Sequence, residues 1–514
     1  MGDKKHFTDE RNVQIVISLL KQHGIHRVIA SPGTTNMTFV GSIQNDPFFQ
    51  IWSSVDERSA AYLACGMASE TGEPVVLSCT GATASRNYMP GLTEAYYRKL
   101  PVLAITSHRG DYQIGHLCDQ QIDRRTIPND IAVESVVAPL VRDWTDEKYC
   151  IDNVNKAILA LFANGGGPAH INMFTAYSQN FTVESYAPAR KVTLVSPFDT
   201  TWPEMPLGRI AVFIGSHQPF PPRAVAAIDK FCAIHDSVVF TSHIGGYHGK
   251  YAVNYSLVSG QRYYNTPCKD IDLLIYLGEI SGNTYGVSGK KTWRVSEDGK
   301  LRDTFGSLTT VFQMPPEVFF EHYSHGEGGH TEYLEACQDD IMKVSSLIPE
   351  LPFGNIWIAQ HMISHLPCGC AFHMGILNSL RSWTFFQLPK GVDARCYGHP
   401  CYSYGEGAEK FMAAAGHYGN KSPLLVKHYA EDLGYEYLSA SDKESFLAAM
   451  PKFVAPKIED KPILFEVFTD RQNESDALEI MLNLVKPTQG RLANVKSVVK
   501  NVVKSTLRPF LPHQ

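Results

Sequence analysis

The sequence predicts an α/β fold made of three parallel-sheet blocks. Short apolar runs alternate with amphipathic stretches, and each run stops in glycine or polar residues. A proline-rich segment, VSPFDTTWPEMPLG (195–208), separates the first block from the next as a linker. In the first block, residues 1–185, NVQIVISLLKQHGI is an amphipathic helix ended by Gly24, and RVIASPG is a buried strand running into a loop. FQIWSSV, PVVLSCTG and LPVLAITS repeat that strand pattern. Strands alternating with helices form a parallel sheet covered on both faces, and ligands bind beyond the carboxyl ends of such strands. The loops beginning at Ser31, Thr80 and Ser107 therefore converge on one rim, and Glu57 lies at another strand-to-helix junction.

The second block, 205–325, carries the strands RIAVFIGSHQ, SVVFTSHIGG and IDLLIYLGEISG and the helix PRAVAAIDKFCAIH. It has no G-x-G-x-x-G, so a nicotinamide-dependent dehydrogenase lacks its fingerprint and a spacer domain is expected. The third block, 350–480, opens near FGNIWIAQHMISHLP and contains a helix over SPLLVKHYAEDLGYEYLSA and a last strand ILFEVF. The tail, 483–514, has Lys486, Arg491, Lys496, Lys500, Lys504 and Arg508 and no acidic residue. VKSVVKNVVK within it predicts an amphipathic helix, expected to pack on its own protein, with contact to anionic lipid as the alternative.

A formal net charge of −6 gives no general reason for nucleic-acid binding. No apolar run is long enough to span a bilayer, and the start MGDKKHFTDERN has no apolar core of a secretory signal. Eleven cysteines, an odd number scattered through the chain, predict reduced thiols in the cytoplasm. CGC at 368–370 lacks the second half of a zinc site.

The stretch SSVDERSAAYLACGMA (53–68) sets an acidic pair directly before a helix of small apolar residues. Ala60, Leu63, Ala64 and Met67 recur at helical spacing and predict a buried face. Asp56 suits an N-cap; Glu57 suits either the helix dipole or a chemical role.

With these residues the chain resembles the thiamine diphosphate-dependent 2-oxo acid decarboxylases and carboligases, and among them the menaquinone-pathway carboligases. SPGTTN (31–36) occupies the place of that family's Pro-Gly loop, DERSAAYLACGMA that of its catalytic-glutamate helix, and TGATASRNYMPGLTEA (80–95) that of the Gly-rich loop and helix that follow. ITSHRG (105–110) and DQQIDR (119–124) fall where the family has substrate-facing polar groups, and LNSLR (377–381) resembles the start of its diphosphate domain. The similarity runs in order through nearly the whole chain, with the specific motifs in the first block.

The resemblance implies three Rossmann-like domains of the thiamine diphosphate-binding fold (pyrimidine, middle and diphosphate), the third incomplete. It implies thiamine diphosphate and Mg2+ as cofactors, a small-molecule 2-oxo acid substrate, and a homodimer or homotetramer. Glu57 is then the catalytic carboxyl that shares a proton with the pyrimidine ring nitrogen. Such a carboxyl works best with a raised pKa, which burial against Ala60, Ala61 and Ala64 would supply. Pro32, Gly33, Gly81, Ala82, Asn87, Asn378 and Ser379 are the expected cofactor contacts. Thr34, Arg109, Gln120 and Arg381 are the expected substrate contacts, and His108 and His116 are candidate proton relays.

Two departures stand against the pattern. Thr35 occupies the place of an arginine in the menaquinone-pathway loop. The family's Gly-Asp-Gly and following pair of asparagines, which hold magnesium and diphosphate, are absent from 350–480, so no metal ligand can be named. About sixty to seventy residues are missing at Tyr397-Gly398, if the block is to reach ordinary domain size. A non-catalytic homologue that keeps the fold for assembly or regulation is the competing function.

Overall fold

The computed structural model describes residues 6–280, 286–401, 424–457 and 460–486. Its two compact units are Met1–Glu204 with Lys291–Phe319, and Met205–Lys290 with Phe320–Gln514. The basic tail, apart from residues 483–486, lies outside the described residues.

The first sheet is parallel throughout. Its strands are β1 (Arg27–Ala30), β2 (Gln50–Ser53), β3 (Val75–Thr80), β4 (Val102–His108), β5 (Glu134–Ala138) and β6 (Ala169–Phe174), in the order β2-β1-β3-β4-β6-β5. Every residue of β3 and β4 is buried, as expected of central strands covered on both faces. The two-residue pleat sends alternate side chains to two cores. Val28, Val76, Leu103 and Ile105 join one core with α1 (Arg11–Gln22) and α6 (Trp144–Ala160). Ile29, Leu77, Val102 and Ala104 join the other with α3 (Glu57–Thr71) and α5 (Met89–Arg98). The chain leaves β1 through α2 (Met37–Gln44) to reach β2 on one side, then crosses back through α3 to β3 on the other. The carboxyl ends of β1 and β3 therefore flank a topological switch point, where such sheets take their ligands.

The second sheet has the order β10-β9-β8-β11-β12-β13-β7. Its strands are β7 (Thr193–Val195), β8 (Ile210–Ile214), β9 (Val238–Thr241), β10 (Ala252–Val253), β11 (Ile271–Leu277), β12 (Gly289–Val295) and β13 (Leu308–Phe312). The helix expected over PRAVAAIDKFCAIH is Pro222–His235.

Beyond residue 350 the described strands form two separate parallel pairs rather than one sheet. β14 (Ala371–Leu377) pairs with β15 (Asp393–Cys401), and β16 (Glu436–Ala440) pairs with β17 (Ile463–Val467). The helix expected over 422–440 is shorter than that: it covers Leu425–Asp432, Gly434 turns the chain at φ +81°, and the rest is β16. Glycine in the left-handed region ends the helix, and the aromatic and aliphatic residues after it suit a strand. Among the described residues no helix is long and apolar enough to cross a membrane.

Buried histidines among the described residues are held neutral. Burial pushes His23, His108 and His243 down to about 4 and His170 to about 3, with the neighbouring Lys191 or Arg124 adding to the effect on all but His243. An unfolded histidine titrates near 6.5, so below that pH the unfolded chain binds protons that the fold refuses. Stability should therefore be complete above pH 6.5 and fall steadily towards pH 4. Urea unfolding at pH 7, 5.5 and 4.5 tests this. A His170→Gln variant should lose less across the same window, and a flat wild-type profile would contradict the assignment.

Candidate active site

The rim of the first sheet is pinned by Asn36. Its amide donates to Ser31 O at 3.0 Å and to Ser78 Oγ at 3.2 Å, tying the Pro-Gly loop of β1 to strand β3. Gly33 is required there, since a Cβ would lie 2.0 Å from Thr80 Oγ1. Pro32, Gly33 and Thr34 are exposed, and the first two border a cleft of about 350 Å3 with Ser31, Asn36 and Met37. Thr35 is wholly buried, with a hydroxyl that meets no partner among the described residues.

Asp56 caps α3, its carboxylate accepting from Ser59 N at 2.8 Å and Ser59 Oγ at 2.6 Å. With the cap supplied by its neighbour, Glu57 is free for another partner, and Asn87 Nδ2 donates to its Oε2 at 3.1 Å. Asn87 ends α4 (Thr83–Asn87), just before the chain restarts as α5. The sequence brings these residues together through a seam of small side chains. Gly91 of α5 sits against Ala61 of α3, where an added Cβ would come 2.5 Å from Ala61 Cβ, and Cys65 Sγ donates to Gly91 O at 3.2 Å.

Two expectations about this helix are corrected. The buried face is Ala60, Ala61, Ala64, Cys65 and Ala68; Leu63 is 53% exposed and Met67 half-buried. The alanines serve the α3–α5 approach, not the enclosure of the carboxyl: Glu57 is only half-buried in the chain.

At the end of β3, Gly81 N donates to Ser107 O at 2.7 Å. A Cβ on Gly81 would lie 2.4 Å from the Arg124 guanidinium and 2.6 Å from Ser107 O, so only glycine fits. Ala82 follows, half-buried, with its carbonyl accepting from Ser85 Oγ at 2.7 Å. Arg109, beyond β4, donates to Tyr177 Oη at 2.7 Å, lies over the Tyr177 ring and reaches Asp119 with both terminal nitrogens at 3.3 Å. Gln120 is exposed in the next loop with φ +58°, in the left-handed region uncommon for residues other than glycine. His108 is buried edge-on to Phe174, its Nδ1 accepting from Gly110 N at 3.2 Å, while His116 is exposed. A ring kept neutral down to about pH 4 makes His108 a poor proton carrier near neutrality.

Asn378, Ser379 and Arg381 lie in the second unit, at the start of the helix Asn378–Trp383 that follows β14. Among the described residues no three His, Cys, Asp or Glu side chains cluster as a metal site. Sequence reasoning did not foresee Asn36, whose role rests on a contact with Ser78, 42 residues away. It also gave no role to Arg124, although it lies within the stretch DQQIDR.

Residues 11–127 match the thiamine pyrophosphate enzyme, N-terminal TPP binding domain. The chain is 25% identical to 2-succinyl-5-enolpyruvyl-6-hydroxy-3-cyclohexene-1-carboxylate (SEPHCHC) synthase of Phocaeicola vulgatus over 553 aligned positions, covering 92% of this chain and 98% of the relative. The enzyme of the same name from Bacteroides thetaiotaomicron is also 25% identical, over 92% of this chain and 98% of its own length. That of Lysinibacillus sphaericus is 38% identical over 34% of this chain and 30% of its own. The first alignment has 553 positions but uses 92% of a 514-residue chain, so about 80 of its positions have no residue here. With residues 11–127, which carry strands β1–β4, matched to a thiamine pyrophosphate enzyme domain and 92% of its length aligned, the chain is a homologue of thiamine diphosphate-dependent enzymes, most like the SEPHCHC synthases.

Proposed function

We propose that the chain carries out thiamine diphosphate-dependent decarboxylation and carboligation of an anionic 2-oxo acid, as an SEPHCHC synthase-like enzyme with Glu57 as its catalytic carboxyl. The observation that carries this is the Glu57–Asn87 pair, which lies within the residues that match the TPP binding domain. The rim fits the pyrimidine end of the cofactor. Gly81 leaves backbone without a side chain in the way, and Pro32, Gly33, Ala82 and Asn87 complete the expected holders. When bound, thiamine diphosphate supplies an electron sink for a 2-oxo acid; the protein supplies position and electrostatics. Because Asn87 donates to Glu57 Oε2, the other oxygen is the one left to hold and release a proton. Arg109 would take the donor's carboxylate through its planar fork, exchanging the exposed Asp119 for it.

The diphosphate end and Mg2+ find no such fit. The 514 residues contain no Gly-Asp-Gly, about 80 positions of the relative have no counterpart, and the third block's described strands remain as two isolated pairs. Parallel sheets need more strands, with both faces covered, to be stable by themselves. This favours a second reading, a non-catalytic homologue that retains the pyrimidine half. Calorimetric titration of the full chain separates the two. The enzyme reading expects thiamine diphosphate to bind at least tenfold more tightly than thiamine, and only with Mg2+. Equal affinities unaffected by Mg2+ would leave the non-catalytic reading.

The chain acts in the cytoplasm, on this reading, and as a homodimer at least. Trp52, Val55, Tyr62 and Leu63 support the dimer: all four are exposed large apolar side chains within six residues of Glu57. A second copy covering them would also complete the burial of the carboxyl, which one chain leaves half-open.

Glu57→Gln should keep the fold and most pyrimidine-side affinity while turnover falls by at least about a hundredfold to ten-thousandfold, the range of acid–base assistance. Near-normal turnover would reduce Glu57 to a structural residue. Arg109→Ala should raise KM for the donor about ten- to a hundredfold, since a charge-assisted bond to carboxylate contributes about 1.5–3 kcal/mol, with kcat little changed. Lysine at 109 should restore only part of that affinity.

A further inference from the structure

Glu10 stands at the N-cap of α1, yet its side chain does not cap that helix. The carboxylate reaches instead to the turn after β6. There Oε1 accepts from Thr175 Oγ1 at 3.0 Å, Ala176 N at 3.1 Å and Ser178 N at 2.9 Å. Tyr177 N, between those two amides, donates to Thr175 Oγ1 at 3.0 Å. One carboxylate oxygen and one hydroxyl thus gather three successive amides, and Tyr177 in their midst has φ +57°. Consecutive amides around a left-handed residue form a concavity suited to an acidic oxygen, and Glu10 fills it from within the chain. A tyrosine keeps such a conformation only where its surroundings impose it. Glu10 is 7% exposed and Thr175 is buried, so this brace lies beneath the surface.

Tyr177 in turn holds Arg109. Its hydroxyl accepts from Arg109 Nε at 2.7 Å, and the guanidinium carbon lies 4.9 Å from the centre of its ring. With Nε engaged, the fork of two terminal nitrogens is the edge turned outward, to the exposed Asp119. Ordinary tethering of the chain after β6 is supplied elsewhere. Phe7 and Val183 exchange backbone bonds at 2.8 and 3.3 Å, and Asp9 N donates to Asn180 O at 3.2 Å. Asn12 Nδ2 donates to Phe174 O at 2.7 Å. The bonds to the Glu10 carboxylate come from residues 175, 176 and 178, immediately around Tyr177.

We propose that Glu10 is a positioning residue for Arg109: it fixes the backbone around Tyr177, and Tyr177 turns the Arg109 fork outward. Among the described residues no hydrogen bond joins Glu10 to Arg109, so the effect passes through the tyrosine. That the fork then receives a donor carboxylate rests on the proposed function; the placement of the fork does not.

Phenylglyoxal, an arginine-specific reagent, reads the fork directly, with its rate of reaction at Arg109 followed by peptide mass spectrometry on the folded full chain. Glu10→Ala should raise that rate about two- to tenfold, the range that loss of one hydrogen bond gives in an equilibrium. Tyr177→Phe should raise it similarly, and the double variant no further, since one residue acts through the other. Glu10→Gln keeps an acceptor oxygen in the turn and should return the rate to near that of the wild type. Asn12→Ala loosens the end of β6 without removing a bond to the turn's amides, and should leave the rate unchanged. The proposal is overturned by an unchanged rate in Glu10→Ala, by additive effects in the double variant, by a rate in Glu10→Gln as high as in Glu10→Ala, or by an equal rise in Asn12→Ala. If Glu10→Ala fails to fold, Glu10→Asp, whose carboxylate falls one methylene short of the amides, replaces it with the same expected rise. No substrate or cofactor enters the measurement. A chain without turnover would therefore leave the result standing, and a failure here would leave the role of Glu57 untouched.

Discussion

Everything at the candidate site depends on the crossover between β1 and β3. A parallel sheet with both faces covered has no polar surface except at its ends, and reversal of the strand order there opens a crevice between two loops. Asn36 closes the geometry by holding the β1 loop to β3, Gly33 lets that loop pack against the Thr80 side chain, and Gly81 lets the β3 end approach the Ser107 backbone. Helix α3 enters from the side strand β2, so its first residue reaches the same rim. A shift of β2 or β3 by one residue would send the cap, the carboxylate and the glycine to the wrong faces together.

Much of this was legible in the sequence because the signals are local. Fully apolar runs such as VVLSCT mark central strands, and Asp56 followed by Ser59 announces a cap. The assignment of the buried side of α3 failed on a distant partner. Leu63 and Met67 fit the helical period, but the neighbour is α5, whose Gly91 admits only small residues opposite. The helix drawn through Gly434 failed because an apolar run after a turn suits strand as well as helix. The bonds from Arg124 to Thr106 Oγ1 and Asn172 Oδ1 were out of reach altogether: β4 and β6, which carry those two residues, are distant in sequence and meet only as neighbours in the sheet.

The two ends of the chain's similarity are unequal in kind. The first sheet has six parallel strands, and Asn36 and Asn87 on its rim are hydrogen-bonded to Ser31, Ser78 and Glu57. In the third block the described strands form two separate pairs, and Glu474 reaches back to Asn355 N at 2.8 Å to join the helices Asn355–Met362 and Arg471–Leu482.

The seam between α3 and α5 has a bearing on how such a site could change over time. Glu57 begins one helix, and Asn87 lies just ahead of the other; between the helices stand Ala61, Cys65 and Gly91, in contact almost backbone to backbone. No flexible side chain lies there to absorb a change in volume, so the distance from carboxylate to amide is tied to the spacing of two rigid rods. Substitutions in this apolar seam, far from any reacting atom, would tilt one rod against the other and retune the proton-bearing oxygen. The path to altered chemistry in this fold can thus run through its least polar residues.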